Sequence, residues 1–182
     1  KEMLKLSILI CTINNRNINL ILEQLNPQLT DEVELLYLGD NKKRTTGEKR
    51  NNLITLAKGD YVVFIDDDDR ITDDYVKSLL EAAQGGLDCI VFDVAYFFNG
   101  KFIQKAKSGI EFDNDYDFTG IFLRRPNHIM CIKREIASEV KFLGINLGED
   151  FDWAFKLKDK LRTQTRINKV LYFYYDDKRV KS

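Results

Sequence analysis

Four adjacent carboxylates, Asp66, Asp67, Asp68 and Asp69, follow directly on the apolar run Tyr61-Val-Val-Phe-Ile65. Like charges packed this closely resist ionisation, and desolvation beside a buried run adds to the resistance. Solvent relieves it, and so does a divalent cation. Hard carboxylate oxygens suit Mg2+ or Mn2+, ions commonly held by one or two carboxylates together with substrate phosphates. A cation held there would neutralise a diphosphate and stabilise it as a leaving group. The structural alternative is a solvated acidic loop leading into a helix N-terminus at Asp73-Asp74, where negative charge is favourable. The buried run immediately upstream weighs against that reading. An EF-hand calcium loop requires Gly at its sixth place and Glu at its twelfth. Counted from Asp66 those places hold Ile71 and Lys77, so the run is not one. A Walker-type phosphate loop is also absent. An aspartyl-phosphate hydrolase would carry Asp-x-Asp after its first strand, not after its third.

The segments that must position these acids alternate in type. Residues 6–13 form an apolar run that ends at polar Thr12 and Asn14, which reads as a strand buried on both faces. Residues 17–25 carry Ile18, Ile21, Leu22 and Leu25 at helical spacing and stop near Pro27. A second buried strand over 33–38 runs into the turn Gly39-Asp40-Asn41. Thr46 is placed to cap a helix whose apolar face holds Leu53, Leu56 and Ala57, with Gly59 at its end. The third strand, 61–65, leads into the aspartates. Thr72 is placed to cap a helix through Ala83, and 89–94 is a fourth buried strand. Such alternation predicts an α/β fold with a mostly parallel central sheet, flanked by helices and joined by right-handed crossovers. Ligands of these sheets bind outside the carboxyl ends of the strands. Thr12, Asn14, Asp40 and Asp66–Asp69 all fall at such ends and are expected to converge on one crevice.

The second half reads differently. Asn99-Gly100 between aromatic and apolar residues signals a hairpin. A short strand is expected over 129–132, a short helix over 133–140, and a last strand over 170–175. A helix over 150–161 is expected to show a face of Phe151, Ala154, Phe155 and Leu161. The chain of 182 residues suits one domain, 1–182, with a nucleotide-binding half at 1–95 and a small mixed acceptor-side half at 96–182.

Composition narrows the function classes. A net charge of −1 gives no general attraction to nucleic acid or anionic membrane. Three cysteines, Cys11, Cys89 and Cys131, sit in apolar stretches without metal-binding spacing. They are expected to be reduced core residues, which points to a cytoplasmic location. No apolar run is long enough for a membrane span, and the first residues lead into a strand without a signal-peptide pattern.

Three blocks resemble the inverting family 2 glycosyltransferases of GT-A fold. The first is Leu6-Ser-Ile-Leu-Ile-Cys-Thr-Ile-Asn-Asn-Arg16. The second runs from Gly47-Glu-Lys-Arg-Asn-Asn through Lys58-Gly-Asp-Tyr to Asp69. The third is Gly148-Glu-Asp150 at a helix start. Their order and spacing match over about residues 5 to 175. The resemblance implies metal-dependent transfer from a nucleotide-diphosphate sugar, a UDP-sugar, to an acceptor hydroxyl. It places Thr12 and Asn14 on the nucleoside, Asp40 on the base and Arg50 on the nucleotide. Asp67 falls near the ribose or diphosphate, Asp66 and Asp68 in the metal-binding DxD element, and Asp150 at the general base, with Glu149 beside it as a second catalytic carboxylate. Inverting transfer needs one base for the acceptor proton and a cation opposite it for the diphosphate.

Departures from the family pattern matter too. The loop Leu38-Gly-Asp-Asn-Lys-Lys43 lacks the usual acid-acid-Gly-Ser form. His128, the single histidine, stands earlier than the family's late metal-binding histidine, so it is a metal ligand, an acceptor contact or a structural residue. Arg124-Arg125 reads as a solvated face before a phosphate contact. The acceptor is expected to be a soluble molecule or a macromolecule (a glycan, a protein or a modified nucleic acid). A nucleotidyltransferase would open with a Gly-rich loop where Thr12–Arg16 has no glycine, and a non-catalytic sugar- or nucleotide-binding module is the remaining alternative.

Overall fold

The computed structural model describes residues 4–14 and 16–176. Its sheet begins as read from the sequence: β1 (Leu6–Ile13), β2 (Val33–Asp40) and β3 (Tyr61–Phe64) are parallel, with β1 between the other two. Leu6 to Ile10 are all buried, because β1 is covered on both faces. The register sets Thr12 opposite Gly39 and Ile13 opposite Asp40, and the Ile65 N–H continues the ladder to the Leu9 carbonyl at 3.0 Å. Three carboxyl ends therefore finish at one level, with Thr12, Asp40 and Asp66 leaving side by side.

Past this point the sheet mixes directions. After β4 (Arg70–Ile71) comes β5 (Cys89–Phe98), which runs parallel to β10 (Gln164–Asp176) along one edge. Its other edge pairs antiparallel, first with β9 (Cys131–Lys133) and then with β6 (Lys101–Ser108). Strand β9 also pairs antiparallel with β3, so a piece of the second half sits between β3 and β5. Strands β7 (Asp115–Tyr116) and β8 (Phe122–Arg124) complete the small mixed region beside β6. The hairpin at Asn99-Gly100 forms with both residues at positive φ, 46° and 76°, the pairing of conformations a two-residue hairpin turn requires. The three cysteines are free thiols. Cys89 and Cys131 are buried and Cys11 is half-buried. Burial pushes the Cys11 and Cys89 thiols up to about 12.

Helices α1 (Asn19–Leu25), α2 (Thr46–Leu56), α3 (Tyr75–Ala83), α4 (Arg134–Ala137) and α5 (Glu149–Leu157) flank the sheet. Three local expectations change. Thr45, not Thr46, caps α2: its hydroxyl accepts the Glu48 N–H at 3.2 Å while Glu48 Oε2 accepts the Thr45 N–H at 2.7 Å, a reciprocal capping box. Thr72 does not cap α3; its hydroxyl donates to Asp74, and the Gln28 side-chain Oε1 accepts the Val76 N–H at 3.0 Å. In α5 the buried face is Glu149, Trp153, Ala154 and Leu157, whereas Phe151 and Phe155 are exposed. The helix turns inward on Trp153, which stacks on Phe142 at 4.6 Å and donates its indole N–H to the Val140 carbonyl at 3.0 Å.

Residues 142–147 dock on the start of α2 and close the site. The Asn51 side chain clamps Phe142 on both its N–H and its carbonyl, at 2.8 and 2.9 Å. Asn146 Oδ1 accepts the Thr46 N–H at 3.0 Å, and the Gly47 N–H donates to the Ile145 carbonyl at 3.1 Å. A Cβ on Gly47 would lie 1.7 Å from the Leu143 carbonyl oxygen. Gly47→Ala is therefore expected to push this segment off α2 and to destabilise the fold by about 1–3 kcal/mol, the range for overpacking. Urea unfolding measures it; an unchanged midpoint would show that the segment yields freely.

Candidate active site

At the carboxyl ends of β1 and β3 lies an open cleft of about 730 Å³. Thr12, Arg16, Lys49, Arg50, Asp66–Asp68, Asn146, Leu147, Tyr174 and Tyr175 line it. A second cleft of about 260 Å³ adjoins it. The two share Arg50, Asp66, Asn146, Leu147, Glu149 and Tyr174, while Asp150, His128 and Arg124 line only the smaller one.

Arg50 forms the partition. It is 5% exposed, its Nη1 bonds Glu149 Oε1 at 2.8 Å and its Nη2 bonds Asp66 Oδ1 at 3.2 Å. Phe64 and Phe142 present ring faces to the guanidinium at 5.6 and 5.5 Å. Glu149 is buried and its carboxyl is raised by burial, against the opposing pull of Arg50. Asp66 shows the reverse balance. Burial pushes it up, but His128 and Arg50 together hold it well below the usual carboxylate range. His128 Nε2 lies 3.3 Å from Asp66 Oδ2, and its Nδ1 lies 3.7 Å from Asp150 Oδ2. The imidazole is buried and stands behind Asp66, between it and Asp150.

The other three aspartates divide. Asp67 accepts the Thr12 hydroxyl at 2.8 Å and Arg16 Nη1 at 2.5 Å. Asp68 is about a third exposed on the cleft wall, 3.9 Å from Arg16 Nη1. Asp69 turns inward, 1% exposed, accepting the Tyr172 hydroxyl at 2.6 Å and the Tyr175 N–H at 2.9 Å. Burial, and then the Asp66 charge, push it up to about 8. The Tyr172 hydroxyl also accepts the Asp66 N–H at 3.0 Å, so β10 holds both ends of the acidic turn.

Asp40 and Asn14 stand beside the cleft and not in its wall. Asp40 pairs with buried Lys49 at 3.1 Å, and the same ammonium donates to the Thr12 carbonyl at 2.7 Å. Asn14 is exposed, its N–H on the Asp40 carbonyl at 3.2 Å. Lys49, Arg16, Asn146 and the β10 tyrosines went unread as site residues. Lys49 and Arg16 lie inside the matched blocks, but a chain pattern does not show which cation meets which acid.

Among the described residues, no three His, Cys, Asp or Glu side chains converge as a ready-made metal cage. The wall nevertheless suits a cation held partly by phosphate. Its cations are already committed, Arg50 to Asp66 and Glu149, Lys49 to Asp40, and Arg16 to Asp67. An arriving diphosphate would find its charge unmatched, and Asp66 and Asp68 offer the hard oxygens an Mg2+ or Mn2+ ion takes.

The model of the glycosyl transferase family 2 matches residues 10–141. The chain belongs to that family. Among solved structures it is similar to S. aureus TarS, at 16% identity and a TM-score of 0.74 over 95% of this chain and 37% of TarS. The 1–349 portion of TarS in complex with UDP-GlcNAc gives 16% identity and a TM-score of 0.68 over 98% of this chain and 60% of that one. Glucosyl-3-phosphoglycerate synthase from Mycobacterium tuberculosis, solved with Mn2+, UDP and phosphoglyceric acid, gives 15% identity and a TM-score of 0.62 over 94% and 71%. The chain thus spans little more than a third of full TarS. No curated protein sequence matches it.

Arg50→Ala would leave Glu149 and Asp66 without their shared cation. A loss of about 3–5 kcal/mol is expected, as for one partner removed from a buried ion pair. Chemical denaturation checks this, and a loss near zero would mean that water replaces the guanidinium.

Proposed function

We propose that this chain is the catalytic domain of a metal-dependent inverting glycosyltransferase using a nucleotide-diphosphate sugar, with a UDP-sugar as donor. One observation carries the reading: two clefts meet across the Asp66–Arg50–Glu149 partition, with the acidic turn in one and Asp150 in the other. A transfer that inverts the sugar carbon needs a leaving group and a nucleophile on opposite sides of it. The larger cleft suits the nucleotide diphosphate and the smaller one the acceptor. The matched family, and structural neighbours solved with UDP-GlcNAc and with Mn2+ and UDP, support the donor and metal assignments.

The residues then take definite tasks. Thr12, through its hold on Asp67, fixes the turn under the nucleotide. Asp68 and Asp66 would hold Mn2+ or Mg2+, which when bound neutralises charge on the departing diphosphate. Lys49 fixes Asp40 and the end of β1, beside the place where the base would lie. Asp150, a third exposed in the acceptor cleft, takes the proton from the attacking hydroxyl. Glu149 stays with Arg50 and keeps the partition in place, so its part is positioning. We assign 1–182 to one working unit, because the sheet runs through both halves. No helix is long and apolar enough to cross a membrane among the described residues, and the three free thiols favour a reducing, cytoplasmic setting.

Calorimetry with UDP, GDP and CDP, with and without Mn2+, tests the donor half of the proposal. Micromolar UDP binding that weakens about tenfold or more without the metal is expected, a change of about 1.4 kcal/mol or more. The absence of any metal-dependent nucleotide binding would sink it. Asp150→Asn should leave UDP affinity within about twofold while lowering transfer, or slow hydrolysis of the donor, by about 10²- to 10⁴-fold, the scale of general-base catalysis. Binding and turnover falling together would remove Asp150 from the role of base.

A further inference from the structure

The smaller cleft contains a cation that the transfer chemistry does not use. Arg124, at the end of β8, lines it together with Asp150 and His128. Arg50 in the same cleft is spent on Asp66 and Glu149, whereas no carboxylate lies within 4 Å of Arg124 among the described residues. The Arg124 side chain is nevertheless fixed. Its Nη1 donates to the Tyr96 hydroxyl, and its guanidinium lies 5.5 Å over the Phe122 ring. Tyr96 in turn packs on Tyr174 at 4.9 Å, and both tyrosines line the cleft. Arg124 Nε is shielded from solvent without a partner, as is His128 Nδ1 in the same wall. Arg124 is half-buried, and a shielded donor without a partner calls for an explanation that a solvated side chain does not supply. The sequence reading of Arg124 as a solvated face therefore fails for this residue.

A fixed, unneutralised guanidinium in a polar cavity is a receptor for a planar or tetrahedral oxyanion, with paired N–H donors. The cavity of about 260 Å³ is smaller than a typical drug-sized site, so an anion at Arg124 and a hydroxyl at Asp150 would belong to one small moiety. We propose that the acceptor is anionic, and that Arg124 binds a phosphate or carboxylate group carried close to the hydroxyl that receives the sugar. The proposal rests on the transferase reading for the identity of the cleft, and it adds the acceptor's chemical class.

The test is calorimetry on protein saturated with UDP and Mn2+, so that free anions do not enter the diphosphate cleft. Glycerol 3-phosphate, glycerate and glycerol serve as probes. At least one of the two anions is expected to bind about tenfold or more tighter than glycerol, and which one does so separates phosphate from carboxylate. Arg124→Gln should abolish that preference, a loss of about tenfold to a hundredfold, as for a hydrogen bond to a charged group. Arg124→Lys should retain part of it, and UDP affinity should stay within about twofold in both. Equal binding of all three probes by the wild-type protein would overturn the proposal, as would undiminished anion binding by folded Arg124→Gln. Should Arg124→Gln fail to fold, the wild-type preference and Arg124→Lys decide. The two readings fail separately. UDP binding without any anion preference sinks only the subsite, and an Arg124-dependent anion preference in protein that binds no UDP sinks only the transferase reading.

Discussion

Arg50 links everything the site requires. Its guanidinium reaches one carboxylate from the acidic turn and one from α5, two elements whose positions in sequence are far apart. A buried ion pair is weak support for stability, because desolvation offsets most of its Coulomb attraction. Its value here is geometric. The fork of donors dictates where Asp66 and Glu149 stand, and two aromatic faces hold the fork itself. Asp150 follows Glu149 in the chain, so fixing Glu149 also sets the outlook of its neighbour across the partition.

The acidic run makes sense only against this background. Its four carboxylates are in four different electrostatic situations. Asp66 is held ionised by His128 and Arg50, and Asp67 is tied by Thr12 and Arg16. Asp68 meets the cleft, and Asp69 is driven toward its neutral form by burial beneath two tyrosines of β10. Crowding is relieved by sorting the charges in space, and only part of the run is left to meet a ligand. The block around α2 is sorted in the same way: Glu48 caps, Lys49 reaches Asp40, Arg50 reaches the acids and Asn51 clamps Phe142.

Strands β1 and β3 were readable because fully buried strands leave continuous apolar runs, and because residues at their ends turn polar together. Strand β2 was also expected to be buried, but at the end of the sheet only its Val33 is, and Tyr37 is exposed. Thr12, Asn14, Asp40 and Asp66–Asp69 were grouped by their places at strand ends; Thr12 and Asp66–Asp68 line the cleft, whereas Asn14 and Asp40 stand beside it and Asp69 turns inward. Pairings that depend on distant partners left no such mark. A short strand was expected over 129–132, but nothing in Cys131-Ile-Lys133 announces its place between β3 and β5. Phe151 and Phe155 read as core because aromatic residues at helical spacing usually are. In the fold Trp153 takes the interior and Arg125 lies over the two phenylalanine rings, at 6.0 and 5.2 Å. Arg124 was misread for the converse reason: its paired neighbour and its charge suggest solvent, and only the surrounding rings of Tyr96 and Phe122 show otherwise.

The lodging of β9 has a bearing on how the chain reaches its fold. Strand β3 ends at Phe64 and β5 begins at Cys89, yet the strand that joins them lies beyond residue 130. Until that stretch has emerged from the ribosome, β3 and β5 have no partner between them. Their facing edges stay open along two of the most apolar segments of the chain. Pairings of such long sequence separation close late, because the entropy of the intervening loop must be met before the ladder forms. In a chain that ends short of residue 131 those edges lack their native partner, and unpaired strand edges are where wrong pairings form.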